Sequence, residues 1–431
     1  MDVAGFAELR TPEGARALAA ASDASRRGPL AAGAALRARG IPPDLAAAAL
    51  TQVELRNRAA GKFGADAARL YFTRPGLQQA TRGEVAERRA RRIAEAGVRR
   101  LVDLGCGIGT DALAAARAGI AVTAVEADPL TAAVAAANAD VLGLDVVVTV
   151  GRAEDVDLGA AEAAFCDPAR RRSHGDLATR NAAQRGRVGG RGRPTSPTSP
   201  TSPTSPTSPM SPTSQDATRI FDPEAFSPPW TFVRHLVDAV PTTILKLAPG
   251  IDHALIPPGA EAEWVSVDGD VVEAAFWCGP FAQVERRATV LRGGTAYELV
   301  GTPDEAPVGA VRRYVHDPDG AVVRAHLVAT YADRIGGVLA DPNIAYIYTE
   351  DVTPTPFGRA YEICDVMPFS LKRLRETLRA RRVGRVTIKK RGSALVPEQL
   401  RRDLRLSGSE EVTIILTRVA GAPTVLLCDP L

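Results

Sequence analysis

A glycine-rich turn between a strand and a helix constrains this chain more than any other feature. Residues 101–111 read Leu-Val-Asp-Leu-Gly-Cys-Gly-Ile-Gly-Thr-Asp, an apolar run that ends in an acid and then turns on glycines. Gly105, Gly107 and Gly109 have no side chain, so the backbone can turn sharply and approach a ligand closely. The pattern predicts a buried strand, a ligand-binding turn and a helix, the first unit of an α/β sheet.

The acid in front of this turn distinguishes two classes of nucleotide. A dinucleotide brings a pyrophosphate, which Asp103 would repel, and the spacing G-x-G-x-G lacks the third glycine of the dinucleotide pattern. S-adenosylmethionine brings a cationic amino group and no phosphate, which suits Asp103. The turn therefore favours S-adenosylmethionine as the cofactor, held by Asp103, Gly105 and Gly107, with Cys106 as a small residue between the glycines.

The next strand along the chain supplies an acid for the ribose of this cofactor. Residues 121–126 form a second apolar strand that ends in Glu126. This acid lies about twenty residues past the glycine turn, where an acid of a βαβ unit can hold both ribose hydroxyls. Asp128 is the reserve candidate for the same role, and Pro129 then opens an alanine-rich helix.

A third strand leads to the segment expected to bind the adenine. Residues 146–150 are apolar and precede Gly-Arg-Ala-Glu-Asp at 151–155. The backbone around Ala153 can pair with the adenine edge, and Glu154 or Asp155 can accept its amino group. A fourth strand then ends in Phe-Cys-Asp-Pro-Ala-Arg at residues 165–170.

With these motifs in register, the chain resembles the class I S-adenosylmethionine-dependent methyltransferases over roughly residues 101–250. The resemblance implies a Rossmann-like sheet whose last two strands form a hairpin, and Asp268-Gly269 between two alternating runs is a strong hairpin signal. It also implies that the group beside the transferred methyl lies at the end of the fourth strand. The predicted catalytic residues are therefore Asp167, Pro168 and Arg170. Ala169 and Arg170 replace the proline and the aromatic residue often found where exocyclic amines are methylated.

The C-terminal part resembles a narrower bacterial family, which joins a methyltransferase domain to a THUMP-like domain. The resemblance is carried by residues 76–82, 341–346, 356–361, 368–372 and 387–392. THUMP domains generally bind RNA, so the resemblance implies an RNA substrate, and the leading hypothesis places the methyl group on a base. The basic residues of a helix and its following strand are expected to hold phosphates: Lys389, Lys390, Arg391, Arg381 and Arg382.

The expected organisation has three parts. A helical region covers residues 1–95, the methyltransferase domain covers 96–280, and a THUMP-like α/β domain covers 281–431. Residues 173–217 interrupt the second part with Arg-Gly-rich sequence and Pro-Thr-Ser repeats, a composition that cannot bury a core and predicts disorder.

Composition bears on the cellular compartment of the protein and on the presence of a membrane span or a metal site. Five cysteines without a C-x-x-C pair indicate reduced thiols in a cytoplasm. The N-terminus has no basic segment followed by an apolar stretch, so secretion is not expected, and no apolar run is long enough to span a membrane. The histidines show no ligand spacing, so no metal site is expected.

Three functions remain open on these grounds. The leading one is a methyltransferase that acts on structured RNA. The second is a small-molecule methyltransferase whose basic domain serves assembly. The third is a non-catalytic RNA-binding protein with a vestigial cofactor pocket. Cofactor binding and salt-dependent RNA binding distinguish between the three.

Overall fold

The computed structural model describes residues 1–25, 28–159, 161–168 and 223–431. The predicted insertion at 173–217 and the candidate Arg170 lie outside the described residues. Two units are distinguished: residues 1–167 with 236–431, and residues 168–235.

The N-terminal region of the larger unit is helical. Its helices are α1 (Val3–Leu9), α2 (Pro12–Ser25), α3 (Pro29–Ala38), α4 (Pro43–Phe63), α5 (Arg74–Gln79) and α6 (Gly83–Glu95). Helices α3 and α4 begin at prolines, whose fixed φ angle suits the first helical turn. Helices α1 to α4 share a core built mainly from alanine and leucine side chains.

A nine-stranded sheet follows. Its strands are β1 (Arg100–Leu104), β2 (Ala121–Glu126), β3 (Val146–Val150), β4 (Ala163–Cys166), β5 (Thr243–Leu247), β6 (Glu261–Val267), β7 (Asp270–Trp277), β8 (Arg286–Arg292) and β9 (Thr295–Gly301). Their order is β3-β2-β1-β4-β5-β7-β6-β8-β9. Strands β1 to β5 are mutually parallel, and β7 runs antiparallel to both β5 and β6. Helices α7 (Thr110–Arg117) and α8 (Pro129–Leu142) connect the first three strands.

Two features of this sheet bear on the predictions. The hairpin between β6 and β7 turns at Asp268 and Gly269, both with positive φ (51° and 94°), as the sequence signal requires. The sheet also runs past residue 280, where the sequence suggests a domain boundary. Strand β8 pairs with β6, and β9 pairs with β8, so both strands extend the same sheet.

The segment before α6 lies against the glycine turn. Asn138, a buried residue of α8, accepts the backbone N–H of Tyr71 at 2.7 Å and donates to the backbone oxygens of Tyr71 and Ile108, each at 3.1 Å. Gly76 of α5 is packed so closely that a Cβ there would lie 2.3 Å from Cγ2 of Ile108. The N-terminal helices are therefore tied to the loop that follows β1.

The smaller unit has few described residues. A short 3-10 turn spans Pro223–Ala225, and helix α9 (Trp230–Ala239) begins in this unit. Trp230 is buried and meets the ring of Phe226 edge-on, with centroids 6.5 Å apart. Trp230 is thus a buried residue at the start of α9.

The C-terminal part forms a second, seven-stranded sheet. Its strands are β10 (Tyr314–Pro318), β11 (Val338–Leu339), β12 (Ile347–Thr349), β13 (Gly358–Pro368), β14 (Val383–Lys390), β15 (Glu410–Val419) and β16 (Ala422–Pro430), in the order β11-β12-β10-β13-β16-β15-β14. Helices α10 (Gly320–Arg324) and α11 (Val328–Arg334) follow β10. Helices α12 (Leu371–Ala380) and α13 (Pro397–Leu404) pack on one face of the sheet through a shared apolar core. The apolar side chains of α12 lie in this core, and Leu374 and Leu378 are fully buried.

Candidate functional site

Three parallel strands of the first sheet end side by side, each at an acid. Strand β1 contains Asp103, β2 ends at Glu126, and Asp167 follows β4. The register places Asp103 opposite Ala124 of β2 and Phe165 of β4. Because the carboxyl ends of parallel strands share one edge of a sheet, the candidate cofactor and acceptor residues lie together.

The glycine turn at this edge needs its glycines. Gly105 and Gly107 have φ angles of 86° and 57°, a left-handed conformation that other residues adopt at a cost. The backbone N–H groups of Gly105 and Cys106 donate to the carbonyl of Val125 at 2.9 and 3.0 Å. A Cβ on Gly105 would lie 3.8 Å from the backbone oxygen of Asp167. The turn is therefore held against both neighbouring strand ends.

Cys106 lies between the two glycines of the turn. Its side chain is buried, and its thiol donates to the backbone oxygen of Gly107 at 3.6 Å. Burial raises the pKa of this thiol well above its ordinary value, and the charges of Asp103 and Glu126 raise it further. The thiol stays protonated, so Cys106 packs in the turn and is not a nucleophile.

Asp103 is a buried acid on β1, at the edge where the glycine turn begins. Its side chain is 0% exposed, and among the described residues neither of its oxygens has a hydrogen-bond partner. Burial raises the pKa of this carboxyl well above its ordinary value, and Asp111 and Asp167 add to the effect. The hydroxyl of Thr110, at the start of α7, is also buried and lacks a described partner. Such groups are costly unless a ligand satisfies them, and a cation suits Asp103 best.

Glu126 and Asp128 have distinct roles in the structure. The carboxylate of Glu126 accepts the backbone N–H of Gly107 at 3.0 Å and that of Asp128 at 2.9 Å, one on each oxygen. A carboxylate oxygen has two lone pairs, so each can still accept a hydroxyl. Asp128 caps α8, because its side chain accepts both the backbone N–H and the hydroxyl of Thr131. Glu126 therefore remains the candidate for two ribose hydroxyls.

The candidate adenine segment is a single 3-10 turn, Ala153–Asp155. Ala153 is buried, Glu154 is partly buried, and Asp155 is exposed. Glu154 forms an ion pair with Arg152 at 2.8 Å. The backbone N–H of Gly151 donates to the carbonyl of Glu126 at 3.0 Å, which places this turn beside the end of β2.

Asp167 is paired with a lysine that the sequence patterns did not single out. Its carboxylate forms an ion pair with Lys246 of β5. The Lys246 side chain is 12% exposed and that of Asp167 is 34% exposed. Burial lowers the pKa of Lys246, but Asp167, Asp111 and Glu273 outweigh that effect and raise it above its ordinary value. Pro168, which follows Asp167, is buried.

A buried ionic network extends from this site to α6. Arg89, 3% exposed, pairs with both Asp111 of α7 and Glu273 of β7. Thr81 donates to the second oxygen of Asp111 at 2.6 Å. Further ion pairs join α6 to β6 and β9, and join β8 to the same two strands: Arg88 with Glu263 and Glu298, Arg92 with Glu261, and Arg287 with Glu261 and Glu298. One sequence signal points to this network, since Lys246 is a charge within the apolar strand Thr-Ile-Leu-Lys-Leu.

The C-terminal basic residues divide into bound and exposed groups. Lys389 and Arg391 both contact the carboxylate of Asp317, at 2.8 and 2.9 Å. Arg381 pairs with Asp365 at 2.9 Å. Lys390 donates to the backbone oxygen of Leu395 at 2.9 Å but is exposed, as is Arg382. Lys389 and Arg391, expected to hold phosphates, are thus committed to an internal acid.

Known proteins resemble this chain along most of its length. Two S-adenosylmethionine-dependent methyltransferases from strains of Mycobacterium tuberculosis, both uncharacterised, are 30% identical to this chain over 393 residues, which is 87% of this chain and 95% of each relative. The chain belongs to the S-adenosylmethionine-dependent methyltransferases. The predicted family, enzyme class and cofactor are therefore confirmed.

Other similarities agree with the two-sheet fold of this methyltransferase. A methyltransferase structure from Porphyromonas gingivalis has a TM-score of 0.63 and 21% identity, covering 90% of this chain and 91% of that one. A family described as THUMP domain-like matches residues 358–430, and a domain family of unknown function matches residues 2–59. The predicted fold class, with a C-terminal THUMP-like domain, is confirmed.

The residues of the site fit S-adenosylmethionine. In the part of the chain that the structure describes, neither oxygen of Asp103 has a hydrogen-bond partner, so both can pair with an ammonium group, and no atom lies within 4 Å of a Cβ position on Gly107. Glu126 keeps lone pairs for hydroxyl groups. When bound, this cofactor supplies an electrophilic methyl group on a sulfonium. Within the described ranges, no helix is both long and apolar enough to cross a membrane, and no cluster of histidine, cysteine and acidic side chains is arranged to hold a metal.

Proposed function

We propose that this methyltransferase transfers a methyl group from S-adenosylmethionine to RNA at a site formed by Asp167 and Lys246. The observation that carries the proposal is the buried carboxylate of Asp103, which has no hydrogen-bond partner among the described residues and lies one strand away from Asp167, the partner of Lys246. A cation-binding cofactor pocket thus adjoins a polar pair that can orient an acceptor. Such alignment is the main task of an enzyme that catalyses a displacement reaction.

Each cofactor residue has a proposed part. Asp103 binds the amino group of the methionine end, and the backbone of Gly105 and Gly107 lets that end approach closely. Glu126 accepts the ribose hydroxyls with its remaining lone pairs. The backbone at Ala153 pairs with the adenine, and Asp155, exposed at the end of that turn, accepts its amino group. Asp128 and Glu154 support these positions through the cap of α8 and the ion pair with Arg152.

An RNA substrate is supported by the C-terminal domain. The THUMP domain-like match covers residues 358–430, and the family resemblance implies RNA binding. Phosphates need exposed cations, so we assign their binding to a basic face on the helix side of the second sheet. The basic face consists of Lys372, Arg373, Arg379, Arg382 and Lys390, all of them exposed.

The alternation of side chains along β14 supports the assignment of Lys390, and not Lys389, to this face. Side chains alternate along a strand, so the two lysines project to opposite sides of the sheet. Lys390 has the same parity as Val386 and Ile388, which pack with α12 and α13. Lys389 forms an ion pair with Asp317. Within the described part of the chain, Lys372, Arg373, Arg379 and Arg382 of the basic face form no ion pair.

We also propose a cytoplasmic location, because all five cysteines are free thiols and four of them are buried in the structure. Free thiols persist most readily in a reducing compartment.

A labelling experiment tests the proposed substrate class. The full-length protein is incubated with methyl-labelled S-adenosylmethionine and, in separate reactions, with total RNA or with a small-molecule cell extract. We expect acid-precipitable, ribonuclease-sensitive label in the RNA reaction. Label confined to the extract would favour a small-molecule methyltransferase. Cofactor binding without transfer to either pool would favour a non-catalytic RNA-binding protein.

A further inference from the structure

We infer that the acceptor of this methyltransferase is a hydroxyl group, and that Lys246 stabilises the negative charge that develops on its oxygen. This inference rests on the proposed function, because it concerns the acceptor side of the same site. It differs from the base methylation expected from the sequence.

The position of Lys246 supports this role. The lysine lies in β5, next to β4 in the sheet, and its ammonium group contacts the Asp167 carboxylate at the edge where the cofactor residues lie. The charged groups that act on it come from several elements: Asp167 after β4, Asp111 of α7, Glu273 of β7, Asp103 of β1 and Lys62 of α4. Acids predominate among these neighbours and raise the pKa of Lys246. Lys246 therefore remains a cation and cannot serve as a base.

The sign of this charge distinguishes between acceptor atoms. A nitrogen acceptor becomes positive as it gains a methyl group, and an ammonium beside it opposes that change. A hydroxyl acceptor loses a proton, and its oxygen becomes negative before the new bond is complete. A fixed donor beside that oxygen stabilises the transition state more than the ground state. Lys246 thus favours oxygen over nitrogen as the acceptor.

Asp167 orients the acceptor hydroxyl and takes up its proton during methyl transfer. Its carboxylate can accept a hydrogen bond from the acceptor hydroxyl and orient it toward the methyl group. The acceptor oxygen then forms its bond to the methyl carbon, whose bond to sulfur breaks and leaves its electron pair on sulfur. The hydroxyl proton passes to Asp167, which is 34% exposed and can release it to water. The step yields a methyl ether, a neutral sulfur and a proton on Asp167, so it needs no further reactant.

In RNA, the hydroxyl present at nearly every nucleotide is the ribose 2′-hydroxyl. The sequence after β4 agrees with such an acceptor, because Asp167-Pro168-Ala169-Arg170 lacks the aromatic residue associated with amine acceptors on bases. A ribose acceptor needs no aromatic platform, since the reacting atom lies on the backbone. We therefore expect the product of the RNA reaction to be a 2′-O-methylated nucleotide.

The chemical linkage of the product tests this inference. Labelled RNA is hydrolysed with alkali, which cannot cleave the chain after a 2′-O-methylated ribose. We expect the label in alkali-resistant dinucleotides. Label in mononucleotides that carry an N-methylated base would overturn the inference while leaving RNA methylation intact. If only the small-molecule extract is labelled, the RNA proposal fails, and a methyl ether product supports the hydroxyl inference whereas a methylamine overturns it. No label in either pool would overturn both.

Variants of Lys246 test its role separately. Lys246→Met should lower kcat about 100-fold or more with little change in cofactor Kd, because the variant has no donor to the developing charge. The residual methyl-transfer rate of this variant should rise with pH more steeply than that of the parent, because the acceptor hydroxyl must then ionise without a neighbouring ammonium group. Lys246→Arg retains the cation and should recover a large part of the rate. A Lys246→Met/Asp167→Asn variant, which leaves no unpaired charge, checks folding. If Lys246→Met keeps the parent kcat and pH profile, the lysine has only a structural role.

Discussion

Arg391 donates to the carboxylate of Asp317 at 2.9 Å, across 74 residues of sequence. Three strands of the second sheet lie between β14, which precedes Arg391, and β10, which contains Asp317. Lys389 contacts the same carboxylate, and the ring of Tyr346 lies under the Arg391 guanidinium. This ion pair is therefore part of the interior framework of the domain.

The first prediction follows from that ion pair. Arg391→Ala should lower the free energy of unfolding by about 1–2 kcal/mol, because Asp317 is left with one of its two cationic partners in a partly buried place. The exposed Arg373→Ala serves as the matched control and should change stability by less than about 0.5 kcal/mol. Urea denaturation followed by far-ultraviolet circular dichroism provides the measurement. Equal stabilities for the two variants would contradict the assigned role of Arg391.

The second prediction concerns RNA binding. Changing Lys372, Arg373 and Arg379 to alanine should weaken RNA binding. The slope of the logarithm of the RNA association constant against the logarithm of the salt concentration should also become shallower, by about 1 for each phosphate that is no longer neutralised. Cofactor affinity should be unchanged. A control with three exposed N-terminal arginines changed to alanine, namely Arg16, Arg37 and Arg39, should bind RNA like the parent. An unaltered salt slope in the first triple variant would exclude the basic face as the RNA site.

The third prediction uses Asp103, the buried acid of the proposed cofactor site. Burial raises the folded-state pKa of Asp103, so its ionisation above the ordinary pKa of about 4 opposes folding increasingly as pH rises. Asp103→Asn removes this ionisation. Without cofactor, the variant should melt at a higher temperature than the parent at pH 8, with a smaller gain at pH 5, yet lose most of its S-adenosylmethionine affinity. Thermal melts at both pH values and calorimetric titration measure the two effects. A variant that binds the cofactor normally would refute the assignment.

The fourth prediction concerns the network behind the site. Arg89→Met should lower the free energy of unfolding by about 3–5 kcal/mol, because it leaves the buried acids Asp111 and Glu273 without their shared partner. Arg91, an exposed neighbour on the same helix, provides the matched control Arg91→Met, with an expected change within about 0.5 kcal/mol. Chemical denaturation compares the two. Similar midpoints would show that the network adds no net stability.

Local sequence patterns predicted the features that depend on a few neighbouring residues. Strands β2 and β3 have the bounds expected from their apolar runs. The hairpin turn needs positive φ at Asp268 and Gly269, and those residues adopt it readily. Ser370 accepts the backbone N–H of Arg373 as the N-cap of α12, a position that serine favours. These features follow from backbone preferences within one turn or strand.

The remaining features depend on partners distant in sequence. Lys246 pairs with Asp167 across 79 residues, and Arg89 with Glu273 across 184, so no local pattern connects them. The run Lys389-Lys390-Arg391 resembles a solvated basic patch, but alternation along the strand brings two of its side chains to Asp317. A run of cations therefore does not by itself identify an RNA surface.

The most direct test of the proposed mechanism compares the parent with Asp167→Asn in methyl transfer to RNA at saturating cofactor and RNA. Asparagine keeps the size of the side chain but cannot take up the acceptor proton. We expect unchanged cofactor and RNA affinities, with a methyl-transfer rate at least about 100-fold lower. An Asp167→Asn protein that methylates RNA at the parent rate would contradict the placement of the reaction at the end of β4.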